Sequence, residues 1–265
     1  MARVPVVLSI AGSDSGGGAG IQADLKAFAR SGVHGATAIT AVTAQNTIAV
    51  EAVEPISPAM IRAQVRAVAA DLGIDAVKIG MVGGVEAIAA VAGVLDELAS
   101  GTPVVLDPVM VAESGARLLP DEAEDALRTQ LVPRATVTTP NLAEARVLAQ
   151  LGEGATAEEL VRAVHGLGPR VAIVTGGHRE EATDVLFDGE QLVELAGERH
   201  PDGAAHGSGC THSATLAARL ALGDDPVSAA REARKVASEA VRDGLRDLGA
   251  GPGPVHVLGA IITPS

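Results

Sequence analysis

The sequence predicts an α/β fold in which a mostly parallel central sheet carries helices on both faces. Short, continuously apolar stretches alternate along the chain with amphipathic stretches of helical period. Continuously apolar strands are typical of a sheet buried on both faces, and their alternation with helices is typical of β–α–β units. No fixed-period repeat or low-complexity linker interrupts the 265 residues, which favours one domain over residues 1–265.

We predict four strands in the first half of the chain, over residues 4–11, 36–42, 76–79 and 103–106, and a further edge strand over 49–55. Helices are predicted over residues 20–31 and 84–98, and another begins at Ser57 and Pro58, a cap residue followed by proline. In that helix one face is apolar, because four residues recur at helical spacing: Ile61, Val65, Val68 and Leu72.

The second half continues the alternation. Strands are predicted over residues 135–138 and 171–174, and a hairpin over 183–187 and 191–195 surrounds the turn dipeptide Asp188-Gly189. The predicted helices cover residues 121–130, 141–151, 156–166, 209–222 and 225–246.

Composition narrows the possible functions. Apolar residues make up 47% of the chain, but there is no Trp, no Tyr and only two Phe, so small aliphatic side chains must fill the core. The net charge of −13 argues against a nucleic-acid partner, which needs a basic face. Cys210 is the single cysteine, which excludes an internal disulfide. No apolar run of about 18 residues predicts a membrane span, and we expect a cytoplasmic protein.

Ligands of such folds bind outside the carboxyl ends of the strands, and the unusual residues of this chain cluster there. The clearest cluster is residues 206–211, in which glycines flank Ser208 before an apolar helix. Unpaired N–H groups and the helix dipole favour an anion at such a start, and the same field should favour the thiolate of Cys210. The alternatives are a simple helix entry with an inert cysteine, or a metal site including His206 and His212.

Residues 12–20 form a second glycine-rich turn after a strand, but they lack the Gly-Lys-Ser/Thr ending of a nucleotide-binding P-loop. This turn either brings the backbone close to a ligand or simply connects a strand to a helix. Asp24, one turn into that helix, either faces the ligand or only complements the helix dipole.

Asn141 and Glu144 have the spacing of a helix cap residue and its partner three positions on, which is the simpler interpretation. The alternative is that both help to hold hydrated magnesium near nucleotide phosphates. Asp107 ends a strand before Pro108, where a carboxylate suits magnesium or phosphate chemistry but also suits a turn.

Eight segments occur in order along nearly the whole chain: AGSDSGGGAGIQADLK (11–26), TAVTAQNT (40–47), KIGM (78–81), LDPVM (106–110), TPNLAEA (139–145), GGH (176–178), HGSGCT (206–211) and GPVH (253–256). Together they resemble the hydroxymethylpyrimidine/phosphomethylpyrimidine kinases of thiamine biosynthesis, which belong to the ribokinase-like superfamily.

The resemblance implies a three-layer ribokinase-like fold, ATP as phosphoryl donor with Mg²⁺, and a homodimer. It implies an anion hole at Gly207, Ser208 and Gly209, with Cys210 in the base position that most sugar kinases of the superfamily fill with Asp. It implies a pyrimidine pocket at Gly12, Asp24, Gln45, Met81 and Val109. It implies a nucleotide site at Asn141, Glu144, Thr175, Gly177, His178 and Thr211. The magnesium and phosphate region would contain Asp107, Asn141 and Glu144.

Three positions depart from the family pattern: Thr175 and Arg234 stand where Lys is common, and Glu113 stands where Lys often precedes Ser-Gly. We expect these departures to remove positive charge near the phosphates and to weaken ATP affinity or rate. Two alternatives stay open, a pyridoxal kinase on the same scaffold and a non-catalytic protein that binds a pyrimidine or a nucleotide.

Overall fold

The computed structural model describes residues 3–112, 114–176 and 182–259. Its strands are β1 (Val6–Asp14), β2 (His34–Gln45), β3 (Val50–Pro55), β4 (Ala76–Ile79), β5 (Val104–Leu106), β6 (Val137–Thr138), β7 (Val171–Val174), β8 (Asp184–Phe187) and β9 (Leu192–Leu195). Its helices are α1 (Gly20–Arg30), α2 (Pro58–Asp71), α3 (Val85–Leu95), α4 (Asp121–Ala126), α5 (Leu142–Ala149), α6 (Ala157–His165), α7 (Ser208–Ala221) and α8 (Pro226–Arg242).

Within the described residues nine strands form one sheet, in the order β3-β2-β1-β4-β5-β6-β7-β8-β9. The six central strands from β2 to β7 are parallel, whereas β3, β8 and β9 add antiparallel edges. The predicted edge strand and the predicted hairpin are therefore both confirmed. In the hairpin turn Gly189 has φ +97°, and the Asp188 carboxylate accepts the N–H groups of Glu190 and Gln191.

Two apolar layers separate the sheet from its helices. Helices α2 to α6 pack on one face, and α1, α7 and α8 pack on the other. The central strands β1, β4, β5 and β7 are buried almost throughout, as continuous apolar strands should be. Alanines supply much of the second layer, where they let α7 and α8 approach each other closely. The prediction of a mostly parallel sheet between two helical layers is confirmed.

The predicted helix ends are less accurate than the predicted elements. Ser57 caps α2 by accepting the N–H of Met60, as predicted. The sequence predicts that the last helix extends to residue 246, but α8 ends at Arg242, ahead of Gly244. A side chain at Gly244 would come within 2.6 Å of the side chain of Ala204. The helix predicted over 121–130 is α-helical only to Ala126 and continues as a π-helical turn. None of the helices in the described part of the chain is long and apolar enough to cross a membrane.

Candidate active site

A cavity of about 410 Å³ opens at the carboxyl ends of the central strands, where the sequence places its unusual residues. That volume suits a small ring compound or part of a nucleotide. The residues lining it include most of those expected for the site: Gly12, Gln45, Met81, Asp107, Val109, Asn141, Glu144, Thr175, Gly207, Ser208, Gly209 and Cys210. The sheet edge therefore brings together residues that are up to about 200 positions apart in the chain.

Gly12 lies where the register between β1 and β2 shifts, between Ala11 and Ser13. Such an irregularity bends the strand and redirects the chain, here towards the cavity. A side chain at Gly12 would come within 2.7 Å of Cε of Met81, so the glycine makes room for the methionine. The carbonyl of Met81 is held in turn by the hydroxyl of Thr40, at 2.6 Å. Gly12 and Met81 together form one apolar wall of the cavity.

The glycine-rich turn at residues 12–20 is not a phosphate loop, because the chain fills it with its own anion. The Asp14 carboxylate accepts the N–H of Gly16 at 2.8 Å, of Gly18 at 3.0 Å and of Ala19 at 2.8 Å. These are N–H groups that could otherwise bind a phosphate. Occupation by Asp14 gives a physical reason for assigning this turn to the acceptor side of the site rather than to the nucleotide.

Asp24 does not line the cavity, which corrects the expectation that it contacts the substrate. Its side chain is fully buried, and one carboxylate oxygen lies 2.9 Å from Nζ of Lys78. The other oxygen accepts the hydroxyl of Ser9 at 2.6 Å and Nζ of Lys78 at 3.0 Å. Lys78 itself reaches the cavity wall. A side chain at Gly80 would come within 2.8 Å of Lys78 Nζ, so this glycine provides the space for the lysine.

Lys78 is the buried cation of the site. Burial opposes its charge, but the carboxylates of Asp24 and Asp107 favour it, so that the pKa of Lys78 is raised above its usual value. A permanent positive charge therefore sits beneath the cavity floor. No local pattern in the sequence indicates a buried charge here, since Lys78 lies within an otherwise apolar strand.

Helix α7 begins at the cavity with the predicted anion loop. Gly207 precedes it in the left-handed conformation, with φ +88°, and no side chain caps the helix. Ser208 N–H bonds to the carbonyl of Ala205, while helix geometry gives the N–H groups of Gly209 and Cys210 no partner in their own helix. The loop therefore presents a helix N-terminus to the cavity, as an anion hole requires.

Cys210 is half-buried at this helix start, and the backbone N–H of Gly20 points to its sulfur. Burial raises the pKa of the Cys210 thiol to about 12, although Lys78 acts in the opposite direction. The raised pKa does not agree with the expectation that the helix field favours a thiolate, because desolvation outweighs the nearby positive charge.

Asn141 and Glu144 form the predicted capping box of α5: Asn141 Oδ1 accepts the N–H of Glu144, and Glu144 Oε2 accepts the N–H of Asn141. The simpler interpretation is thus confirmed, yet both side chains also line the cavity. Burial, together with the nearby Asp107, raises the pKa of Glu144 to about 8. Asp107 lies beside the anion loop, where its Oδ2 accepts the hydroxyl of Ser213 at 2.9 Å.

These groups fit a magnesium site, because two carboxylates and an amide oxygen are the hard oxygen ligands that Mg²⁺ prefers. Burial and, after it, the charge of Asp107 oppose ionisation of Glu144, and a divalent cation bound between the two carboxylates would favour the ionised form.

The structure places the other residues that are expected to bind the nucleotide in different environments. Thr175 lines the cavity beside Asn141, to which it is bridged. Thr211 does not line it: its side chain is fully buried, and its hydroxyl donates to the carbonyl of Gly207 at 2.9 Å, so direct contact with the nucleotide is not supported. The predicted contacts of Gly177 and His178 lie outside the described residues.

A buried polar cluster on the cavity wall next to Thr175 is not predicted from the sequence. Oδ2 of Asp184 lies 3.5 Å from Nε2 of His212, and Oδ1 lies 3.8 Å from Arg234 and accepts the N–H of Gly176 at 2.7 Å. Among the described residues neither ring nitrogen of His212 has a hydrogen-bond partner. Burial, aided by Arg234, lowers the pKa of His212, so its imidazole is neutral at pH 7.

A model of the family described as phosphomethylpyrimidine kinase matches residues 14–256 of the chain. The chain belongs to the phosphomethylpyrimidine kinase family. A hydroxymethylpyrimidine/phosphomethylpyrimidine kinase of Rhizobium meliloti is 48% identical over 257 residues, which cover 95% of this chain and 96% of that protein. The expected resemblance is therefore confirmed over nearly the full length of the chain.

Solved structures that superpose on the chain include pyridoxal kinases. An ADP complex of Bacillus subtilis pyridoxal kinase superposes with a TM-score of 0.89 at 38% identity, covering 98% of this chain and all of that chain. Pyridoxal kinase from Staphylococcus aureus, in complex with AMP-PCP and pyridoxal, gives 0.88 at 31% identity, covering 98% and 95%. The expected ribokinase-like fold of the phosphomethylpyrimidine kinase family is thus confirmed.

Two of the three departures from the family pattern, Thr175 and Arg234, lie on the cavity wall. Arg234 lines the cavity and keeps a positive charge there, so this exchange does not remove charge as expected. Gly197 makes room for it, since any side chain at that position would overlap with the guanidinium. Thr175 also lines the cavity, and there the exchange of the common lysine for threonine does remove a positive charge. Glu113 lies outside the described residues.

Proposed function

We propose that the protein transfers the γ-phosphoryl group of ATP to the hydroxyl of 4-amino-5-hydroxymethyl-2-methylpyrimidine, and then phosphorylates the resulting monophosphate, in thiamine biosynthesis. The observation that carries the proposal is the two-ended cavity. One end has the Gly12–Met81 wall and the amide of Gln45, and the other has the uncapped start of α7 beside Asp107. An acceptor ring and a phosphoryl donor fit these ends in that order.

In this proposal the acceptor ring lies between Met81, Gln45 and Val109, and its hydroxymethyl group points to the α7 start. The N–H groups of Gly209 and Cys210 bind the transferred phosphoryl oxygens, where negative charge is concentrated in the transition state. Lys78 adds positive charge from beneath. We assign four residues to the nucleotide, with ATP as the donor: Asn141, Thr175, Gly177 and His178.

Asp107, Asn141 and Glu144 are proposed to hold hydrated Mg²⁺. When bound, the cation supplies charge neutralisation on the donor phosphates. The Glu144 carboxyl must lose its proton to act as a ligand, so we expect the affinity for Mg²⁺ to rise with pH up to about 8.

Cys210 holds the base position in the family pattern, but its raised pKa makes it a thiol in the free chain. Phosphoryl transfer through a loose transition state demands positioning and charge stabilisation more than early removal of the hydroxyl proton. We therefore assign most of the rate acceleration to the anion loop, Lys78 and the metal region, and Cys210 accepts the hydroxyl proton only in the small fraction of the protein that carries it as a thiolate.

The test is ATP consumption by the purified protein with the pyrimidine alcohol, with its monophosphate and with pyridoxal, each at several concentrations and with Mg²⁺. We expect turnover with both pyrimidines and a higher kcat/KM for them than for pyridoxal. Asp107→Ala, prepared identically, controls for contaminating kinases. An absence of product with both pyrimidines would reject the proposed function.

Pyridoxal kinase is the second candidate, because solved pyridoxal kinases superpose on the chain over nearly its whole length. A higher kcat/KM for pyridoxal in the same assay would select it. Binding of ligands without transfer to any of the three acceptors would instead select a non-catalytic binding protein.

We also propose a homodimer and a cytoplasmic location, where ATP is available. Exposed apolar side chains at the β2–β3 edge, Val42, Ile48 and Val53, are candidates for the contact between the two copies. Sedimentation equilibrium of the wild type and of Ile48→Glu tests this assembly: the wild type should be dimeric and the variant shifted towards monomer.

A further inference from the structure

His206 connects the two glycine-rich loops that meet at the cavity. Its Nε2 lies 3.1 Å from Oδ2 of Asp14, 192 residues earlier in the chain. That same oxygen accepts the N–H groups of Gly18 and Ala19. Both partners are buried, with 9% of His206 and 3% of Asp14 exposed. Asp14 thus organises the acceptor-side turn and ties it to the residue that precedes the anion loop.

The backbones of the two loops fit together only because glycines stand at the contact. A side chain at Gly207, already in the left-handed conformation, would overlap with the carbonyl oxygen of Gly18. A side chain at Gly18 would overlap with the imidazole of His206. The imidazole is therefore enclosed between the loops, and its reach to Asp14 sets how closely they approach.

Residues 253–256 hold the backbone of His206 in place. They form one of the eight motifs in the sequence but have no chemical role in the proposed site. Val255 N–H donates to the carbonyl of His206 at 3.0 Å, and His206 forms a parallel bridge with Pro254. Pro254 in turn accepts the N–H of Leu245 at 2.9 Å. The backbone of His206 is thus fixed to the end of the described chain while its side chain holds the acceptor-side turn.

We propose that His206 is a positioning residue, whose contact with Asp14 fixes the distance and angle between the acceptor loop at residues 12–20 and the anion loop at residues 207–210. The proposal rests on the proposed function, since it concerns the alignment of a hydroxyl with a phosphoryl group. Misplacement of reacting groups by about 1 Å can cost on the order of a hundredfold in rate.

The Asp14–His206 contact is electrostatically favourable as well as well placed. Burial opposes ionisation of Asp14, but the hydrogen bond from His206 and those from Ala19 and Gly16 lower its pKa below the usual value. A carboxylate held in its charged form is a strong acceptor, which strengthens its hydrogen bond with His206.

The proposal is tested with His206→Leu and His206→Gln, because the glutamine amide reaches about as far as Nε2 and can still donate to Asp14. For His206→Leu we expect kcat to fall about 30-fold or more, with both KM values changed less than about threefold. ATP consumed per pyrimidine phosphorylated should also rise, because water then competes with the misaligned hydroxyl and yields ADP and inorganic phosphate. His206→Gln should restore both quantities to within about fivefold of wild type.

A purely structural role predicts a different result: kcat per folded molecule and the ratio of ATP to product stay at wild-type values in both variants, and only the melting temperature falls. That result would overturn the proposal, as would equal losses in the leucine and glutamine variants.

Hydrogen–deuterium exchange separates this proposal from the proposed function, because it needs no turnover. His206→Leu should speed exchange at the Gly18 and Ala19 amides and in residues 207–210, and His206→Gln should not. Unchanged exchange in residues 12–20 of His206→Leu would reject the contact as the link between the loops, whichever acceptor the wild type phosphorylates.

Discussion

Nζ of Lys78 lies 2.9 Å from the carboxylate of Asp24, with both side chains completely enclosed beneath the cavity. The pair joins β4 to α1 on one face of the sheet. Its charges are compensated, by each other and by the hydroxyl of Ser9. A buried charge that loses its partner is strongly destabilising, whereas the intact pair contributes little net stability.

We therefore expect Lys78→Met and Asp24→Asn each to lower the free energy of unfolding by about 3–5 kcal/mol, because each leaves one buried charge uncompensated. The double variant should be less destabilised than the sum of the two single variants. Urea unfolding followed by circular dichroism measures all three. Arg66→Met is the matched control, since Arg66 and Glu97 form an exposed pair that solvent screens, and its loss should change the free energy of unfolding far less. Additive losses would show that the two groups do not compensate each other.

The sequence predicts the sheet and its two helical layers, because the periodicity of apolar residues and the positions of turn residues can be recognised within short segments of the chain. It also predicts the sheet edge that carries the site, since topology places the carboxyl ends of parallel strands together. It misplaced Asp24 and Thr211, because only tertiary packing decides whether a polar side chain faces the cavity or a buried neighbour. The ion pair between Lys78 and Asp24 cannot be predicted from the sequence, since the two residues are 54 positions apart.

The same limit applies to electrostatics. The helix start at Cys210 was predicted, but not the desolvation that raises its pKa, because burial depends on the neighbouring loop at Gly20. Likewise His212, Asp184 and Arg234 come from three separate elements or their boundaries, and no spacing in the chain relates them.

Two capping boxes among the described helices allow structural and catalytic roles to be separated. Asn141 with Glu144 caps α5 at the cavity, and Thr156 with Glu159 caps α6 at the surface. We expect Asn141→Ala and Thr156→Ala each to lower the free energy of unfolding by about 1 kcal/mol. Only Asn141→Ala should also raise KM for MgATP, by about tenfold, because its amide belongs to the proposed metal region. Steady-state kinetics and urea unfolding of both variants test this expectation. If the two variants have equal KM values for MgATP, Asn141 acts only as a helix cap.

The pH dependence of Cys210 alkylation follows from its raised pKa. As the only cysteine of the chain, it gives an unambiguous signal with iodoacetamide, which reacts with the thiolate. A rise from the ordinary 9.0 to about 12 lowers the thiolate fraction at pH 8 about a thousandfold. We expect the folded protein's alkylation rate to keep rising beyond pH 10, whereas in concentrated urea it should level off near pH 9 to 10. If the alkylation rate of the folded protein instead levels off below pH 9, Cys210 is a thiolate near neutral pH and its pKa is not raised. Lys78→Met should slow alkylation further, since Lys78 lowers the pKa of Cys210.

His212 makes the folded state sensitive to acid. Its pKa is lowered by burial and by Arg234, against the opposing effects of Asp184 and Asp107. Below about pH 6.5 the unfolded chain therefore binds a proton that the folded chain does not, so stability is present above that pH and is lost as pH falls through it. The expected contribution is a slope of up to about 1.4 kcal/mol per pH unit. Urea unfolding of the wild type and His212→Leu between pH 7.5 and 5.5 measures it. The variant should lose that part of the slope, while His34→Asn, at an exposed position, should keep it. If His212→Leu and wild type show parallel profiles, the acid sensitivity arises elsewhere in the chain.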